Sequence, residues 1–121
     1  MTGVQTCALP IFNCVAFSGE YIASGSDDGT IWVWNAKTGE TLRVIRGHSS
    51  RVTSLIFSYD GERLVSGSFD KTVRIWNAKT GELMREPFRG HSDYVCSVAF
   101  SPNEEHVVSS SGNGSVRIWL A

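Results

Sequence analysis

Ser24-Gly25-Ser26-Asp27-Asp28-Gly29-Thr30-Ile31-Trp32-Val33-Trp34-Asn35-Ala36-Lys37-Thr38-Gly39-Glu40 returns downstream as Ser66-Gly67-Ser68-Phe69-Asp70-Lys71-Thr72-Val73-Arg74-Ile75-Trp76-Asn77-Ala78-Lys79-Thr80-Gly81-Glu82. A shorter third copy, Ser109-Ser110-Ser111-Gly112-Asn113-Gly114-Ser115-Val116-Arg117-Ile118-Trp119, follows. Trp34, Trp76 and Trp119 stand 42 and 43 residues apart. A near-constant period of this size means one supersecondary unit repeated, each copy burying a face against the next. The extra residue of the second interval lies in the outer part of the unit, where Gly81 to Gly90 is one step longer than Gly39 to Gly47.

Within the unit the local signal is β-strand. Val52, Ser54 and Ile56 alternate with Thr53, Leu55 and Phe57, and both sets are largely apolar, as in a strand covered on both faces. Phe57-Ser58-Tyr59-Asp60-Gly61 and Phe100-Ser101-Pro102-Asn103-Glu104 read as hairpin turns. Thr72-Val73-Arg74-Ile75-Trp76 is a β-branched and aromatic strand, and Thr80-Gly81-Glu82 turns the chain again. In the first unit the first hairpin is shorter by two, since Phe17 to Gly25 spans 8 positions and Phe57 to Gly67 spans 10. No segment keeps a helical period. The expected fold is all-β: about three incomplete four-stranded antiparallel blades of a β-propeller. The units run roughly over 12–46, 47–89 and 90–121.

Gly47-His48 before Trp76-Asn77, and Gly90-His91 before Trp119, resemble the Gly-His and Trp-Asp signature of WD repeats. The terminal dipeptide departs from that signature, with Asn35, Asn77 and Leu120 in place of aspartate. The resemblance covers residues 12 to 121. The near-identity of the units, with Asn-Ala-Lys-Thr-Gly-Glu twice, looks most like the long arrays attached to fungal NACHT-type NTPases.

His48, Ser66 and Asp70 could be taken for a catalytic triad. Acyl-transfer chemistry would also need an oxyanion hole and a cleft, and nothing in the sequence points to either. The WD resemblance instead implies a buried polar network in each unit, with every donor given an acceptor. In the second unit it would join His48, Ser66, Asp70 and Trp76, with Ser68 on the same strand face as an alternative to Ser66. In the third it would join His91, Ser109, Asn113 and Trp119, held less firmly because Asn113 loses the charge-assisted bond. The first unit keeps Ser24, Asp28 and Trp34, but no histidine precedes them; the missing pair aligns with Cys7-Ala8.

Residues 1–11 match no part of a blade. Thr2-Gly3-Val4-Gln5-Thr6-Cys7-Ala8-Leu9-Pro10-Ile11 is similar to the conceptual translation of a common sequencing adapter. This stretch is therefore expected to be a non-native leader, excluded from fold reasoning, with the gene product extending further upstream. It has neither the basic start nor the continuous apolar run of a secretory signal, and no stretch of the chain is long and apolar enough for a membrane helix. Cys7, Cys14 and Cys96 fit neither a disulfide framework nor a zinc site, which points to a reducing compartment, the cytoplasm, with the nucleus left open.

The chain has 11 basic and 12 acidic residues among 121, a net charge of -1, which offers little to nucleic acid or an anionic membrane. No phosphate loop, metal-spaced cluster or paired carboxylate in a pocket suggests an enzyme, a cofactor or a metal. Glu104-Glu105 reads as a solvated hairpin. The expected function is a protein–protein interaction scaffold, part of a larger protein. The alternative is a substrate- or ligand-sensing domain of a multidomain NTPase or a ubiquitin-ligase receptor, with glycan or nucleic-acid recognition less favoured. By the resemblance, partners would meet the residues beside the turn and before the first strand: Asp27, Arg51, Phe69 and Tyr94, with Gly112. These include residue types enriched at binding hot spots, and a Phe in a polar turn has no evident local role. Trp32 replaces Arg74 and Arg117 on a strand face open to solvent or ligand. Three incomplete blades cannot close a ring, so the terminal blades should expose apolar faces and the chain is expected to self-associate through them.

Overall fold

In a computed structural model, residues 11–121 are described. The first blade holds β1 (Phe12–Ser18), β2 (Tyr21–Ser26), β3 (Thr30–Asn35) and β4 (Thr41–Arg46). The second holds β5 (Val52–Phe57), β6 (Arg63–Ser68), β7 (Thr72–Asn77) and β8 (Phe88–Arg89), and the third β9 (Val95–Phe100), β10 (His106–Ser111) and β11 (Val116–Leu120). Each blade is an antiparallel meander in sequence order, giving sheets of four, four and three strands. The fold is all-β, three incomplete propeller blades. The blades stack through their first strands: β5 lies beside β1, and β9 beside β5. Residues 1–10, with Cys7 and most of the proposed leader, lie outside the described residues.

The length differences read from the sequence acquire local causes. β1 and β2 close over a two-residue loop, with Ser18 paired to Tyr21 and Gly19 at φ 53°. The longer second hairpin is closed by Ser58, whose N–H donates to Arg63 O at 2.8 Å and whose side chain bonds Asp60 and the Arg63 N–H. In the second blade the outer segment leaves the ladder after a single bridge, Trp76 to Leu83, and rejoins only at Phe88–Arg89. Pro87 stands just before that return and has no N–H to give a ladder.

A register shift recurs in the first strand pair of every blade, skipping Asn13, Thr53 and Cys96. Such bulges redirect one side chain out of the alternation. Thr53 uses this freedom to lie against Gly67 O at 3.1 Å and against Val95 O in the next blade.

Two apolar clusters lie between the blades. Ile31, Val33 and Ile45 of the first blade pack with Val52, Leu55 and Leu64 of the second. Val65, Val73 and Ile75 of the second pack with Val95, Val98 and Val107 of the third. Most of these side chains are almost wholly buried, each worth about 1.5–3 kcal/mol on removal from water. The double-sided apolar strands are thus explained: one face meets the blade before, the other the blade after.

Candidate functional site

In the second blade the polar residues form one closed set. Trp76 Nε1–H donates to Ser66 Oγ at 2.8 Å, and Ser66 Oγ lies 2.6 Å from His48 Nε2. His48 Nδ1 lies 2.9 Å from Asp70 Oδ2, which also accepts from the Ser49 N–H at 3.1 Å. Asp70 Oδ1 accepts from the N–H and the hydroxyl of Thr72, at 3.0 and 2.5 Å. With the ring proton on Nδ1, every donor in the set has an acceptor: indole to hydroxyl, hydroxyl to Nε2, Nδ1 to carboxylate. Ser66 is the serine that joins; Ser68 Oγ bonds the carbonyls of Ser50 and Arg51 and accepts from the Asp70 N–H.

The glycine of the Gly-His pair belongs to the same cluster. A Cβ on Gly47 would sit 2.3 Å from the outer edge of the Trp76 indole, and one on Gly90 would sit 3.0 Å from that of Trp119. Histidine and tryptophan meet edge to face in both blades, at 6.1 Å between centroids. Glycine is needed there because the ring occupies the space of its side chain.

Ser66, His48 and Asp70 therefore share the contact order of a hydrolase triad but not its access. Ser66 is wholly buried and His48 is 6% exposed. The serine oxygen already accepts the Trp76 proton. This set holds the blade together and presents no nucleophile.

The third blade repeats half of the arrangement. Trp119 Nε1 donates to Ser109 Oγ at 2.8 Å, and Ser109 Oγ lies 2.7 Å from His91 Nε2. Asn113 does not reach the histidine. Its Oδ1 accepts from the N–H and hydroxyl of Ser115, its Nδ2 donates to Ser92 Oγ, and Ser115 Oγ stands 3.3 Å from His91 Nδ1. In the first blade Trp34 Nε1 donates to Ser24 Oγ at 2.8 Å, and Asp28 accepts from the N–H and hydroxyl of Thr30. The place aligned with histidine there, at Cys7-Ala8, is outside the described residues.

Electrostatics separate the two histidine blades. Burial pushes the Asp70 carboxyl up, but hydrogen bonds from His48 and Thr72 outweigh it and hold it well below the usual carboxylate range. His91 has no such partner: burial, then the Arg117 guanidinium, lower its pKa. Burial raises the Cys14 thiol to about 11, with a Gly25 backbone bond opposing, so it is not a reactive thiolate at neutral pH.

Along the rim formed by the β2–β3, β6–β7 and β10–β11 turns, the side chains form a strip. Asp27, Phe69 and Gly112 donate their N–H groups to the carbonyls of Ile11, Arg51 and Tyr94, each at 2.9 or 2.8 Å. The side chains then reach across to the neighbouring blade. Arg51 Nε pairs with Asp27 Oδ1 at 2.9 Å, and its guanidinium lies 5.0 Å over the Phe69 ring. Phe69 packs on Tyr94 with centroids 4.7 Å apart, and Tyr94 fills the space a Cβ on Gly112 would need. Asn13 Nδ2 donates to Asp27 at the other end. All four residues named from the sequence are thus in one connected row, and Phe69 does have a local role, as the ring on which Arg51 and Tyr94 rest.

The family described as WD domain, G-beta repeat matches residues 4–35, 39–77 and 81–119. The chain belongs to the WD-repeat family. These matches are framed to end near each tryptophan, one strand earlier than the sheets, and the first begins inside the stretch read as a leader. Among similar proteins, F-box/WD repeat-containing protein 7 of Drosophila melanogaster is 48% identical over 44 residues, 36% of this chain and 3% of that protein. Mitochondrial division protein 1 of Candida glabrata is 37% identical over 54 residues, covering 45% and 8%. WD repeat-containing protein 41 of Mus musculus is 56% identical over 34 residues, covering 28% and 7%. The chain spans less than a tenth of each of these relatives.

Several WD-repeat features were not legible as site residues. Thr72, with Thr30 and Ser115 at the same place in the other units, bonds the turn residue in each blade. Their recurrence two residues after the turn Asx was the available signal. Trp32 is not an open platform: it stacks on Trp34 at 5.5 Å, takes the Phe12 edge at 5.8 Å, and donates to Thr30 Oγ1. Glu104 is not simply solvated either, since its carboxylate accepts from the Tyr59 N–H of the preceding blade at 2.7 Å and faces Arg63 at 3.9 Å. Among the described residues no group of three or more His, Cys, Asp and Glu could hold a metal, and no helix is long and apolar enough to cross a membrane.

Proposed function

We propose that the chain is part of a protein–protein interaction scaffold and that the strip Asp27, Arg51, Phe69 and Tyr94 is its contact surface. The observation that carries this is the meeting of four side chains from three blades in one row that stays partly open, with Phe69 and Tyr94 each 38% exposed. A preorganised aromatic pair with an arginine against it supplies buriable area without ordering new side chains on binding. Arg51 is already paired to Asp27, so the row offers no unpaired cationic track for a phosphate backbone. This favours a protein partner over nucleic acid.

Partners retained by the chain in affinity capture, then measured singly by calorimetry, provide the test. Tyr94→Ala and Phe69→Ala should each weaken binding by about tenfold or more, as truncation of a hot-spot aromatic does. The far rim supplies the control, because Tyr59→Ala removes a 97% exposed ring and should leave affinity unchanged. Partners insensitive to the strip variants and sensitive to Tyr59→Ala would move the surface to the opposite rim.

A further inference from the structure

Residues 91–94 carry both the histidine of the third blade's polar set and the last ring of the rim strip, and they are held more lightly than their counterparts in the second blade. There, residues 48–51 are pinned by Asp70 Oδ2, which accepts from the Ser49 N–H and lies 2.9 Å from His48 Nδ1. Ser68 Oγ adds bonds to the carbonyls of Ser50 and Arg51. In the third blade Ser111 stands in the place of Ser68, 6% exposed, and its buried Oγ has no hydrogen-bond partner. Asn113 reaches the segment at Ser92 Oγ, and the Gly112 N–H holds the Tyr94 carbonyl at 2.9 Å. The Tyr94 ring then fills the space beside Gly112 and rests on Phe69.

His91 heads this segment in surroundings that suit a neutral ring. It is 6% exposed; its Nε2 lies 2.7 Å from Ser109 Oγ, which already accepts the Trp119 indole proton. From β11 it meets the Trp119 ring and the charge of Arg117, and from the turn the Ser115 hydroxyl, itself bonded to Asn113. Arg89 and Asp93 flank it along the chain, and Asp93 Oδ1 is taken by the Tyr94 N–H at 2.8 Å. Among the described residues no carboxylate comes within ion-pair distance of His91, whereas Asp70 meets His48. A buried imidazolium without a counter-charge is costly, so a protonated ring is driven toward water. We propose that protonation of His91 releases residues 91–94 and lifts Tyr94 off Phe69, so that the rim strip is undone in acid. As regulation of binding, this rests on the strip being the contact surface. Burial, and then Arg117, hold the His91 pKa below its ordinary 6.5, so the closed segment favours the neutral ring and opens as the pH falls below about 6.5. The second blade is built against such release, because a protonated His48 keeps a carboxylate on Nδ1. Arg51 and Phe69 therefore stay in place, and the Tyr94 end of the strip is the part that moves.

NMR on the 121-residue chain tests this through nuclear Overhauser contacts between the Phe69 and Tyr94 rings, followed from about pH 7.5 to about 5 beside the titration of each imidazole. The ring contact should be present at neutral pH and be lost with a midpoint that follows His91, not His48 or His106. Asn113→Asp supplies the missing carboxylate: His91 should then titrate higher, and the contact should persist to about pH 5. His91→Gln removes the titration and should make the contact independent of pH. If that variant loses its β signal by circular dichroism, Asn113→Asp carries the comparison alone. A contact intact at about pH 5 in the unaltered chain, whatever the state of His91, or an acid loss that Asn113→Asp leaves unchanged, would overturn the proposal. Affinity for a captured partner is a separate reading: acid should weaken it about tenfold, and Tyr94→Ala should remove that pH dependence. A strip that opens in acid with no change in affinity would count against the contact surface and for the switch.

Discussion

The second and third blades share a histidine, a serine and a tryptophan in the same contacts, and they part at one turn position, Asp70 against Asn113. Up to that point the geometry repeats closely: indole to serine at 2.8 Å in both, serine to Nε2 at 2.6 and 2.7 Å. Beyond it, His48 is tied at its second nitrogen by a carboxylate at 2.9 Å, and His91 only by a hydroxyl at 3.3 Å. An acceptor with full charge draws in the ring, the neighbouring N–H of Ser49 and the threonine together. A neutral amide, half donor and half acceptor, turns its nitrogen to Ser92 and leaves the histidine to Ser115. One change of charge thus decides whether the network closes.

The largest way to break the comparison is Asp70→Ala. It strips the second blade of the acceptor that its partner lacks and leaves the buried Nδ1–H facing Thr72 Oγ1 at 3.3 Å, a poorer acceptor. A loss of about 2–4 kcal/mol is expected, read as a lower midpoint in urea. A midpoint equal to that of the unaltered chain would mean that the carboxylate adds nothing.

Asn113→Asp runs the comparison the other way. The third blade should then draw His91 onto the new carboxylate and gain about 1 kcal/mol, with slower amide exchange along β10 and β11. If exchange there is unchanged, the charge is not what separates the two blades.

The smallest effect is a difference in acid sensitivity. His91 has a folded pKa below its ordinary 6.5, so the unfolded chain binds more protons. Its contribution is therefore present above about 6.5 and is lost as the pH falls from there toward the folded value. Asp70 is depressed in the fold, so its contribution is present above the ordinary carboxylate value and is lost only in strong acid. Between neutral pH and about 5, amides of β9–β11 should lose protection relative to those of β5–β7, once intrinsic exchange is corrected. Equal loss in both blades would remove the electrostatic distinction.

Much of this architecture was legible because a repeat reports its own errors. Three copies of one pattern marked the strands, the turns and the recurring tryptophan, and comparison of copies exposed the Asn113 substitution and the short first hairpin. The site was legible to the extent that it reused repeated positions. Asp27, Arg51, Phe69 and Tyr94 could be named as rim residues because they occupy matching places, but their mutual contacts run between units. Pairing of Arg51 with Asp27, or of Tyr94 with Phe69, depends on how one blade is turned against the next. The same holds for Glu104, which reaches back to Tyr59 of the blade before, whereas Trp32 is covered within its own blade, by Phe12 of β1 and Trp34 of β3.

By itself the sequence determined what each blade is: its strands, set by β-branched alternation and by turns, and the residue types of its polar network. The tertiary structure alone decided which atoms of that network meet, why glycine must precede histidine, and which surfaces are left uncovered. The physical reason is range. Strand and turn preferences act between neighbours along the chain, while hydrogen-bond closure, the indole against Gly47 and the matching of apolar faces act across spans of 18 to 42 residues.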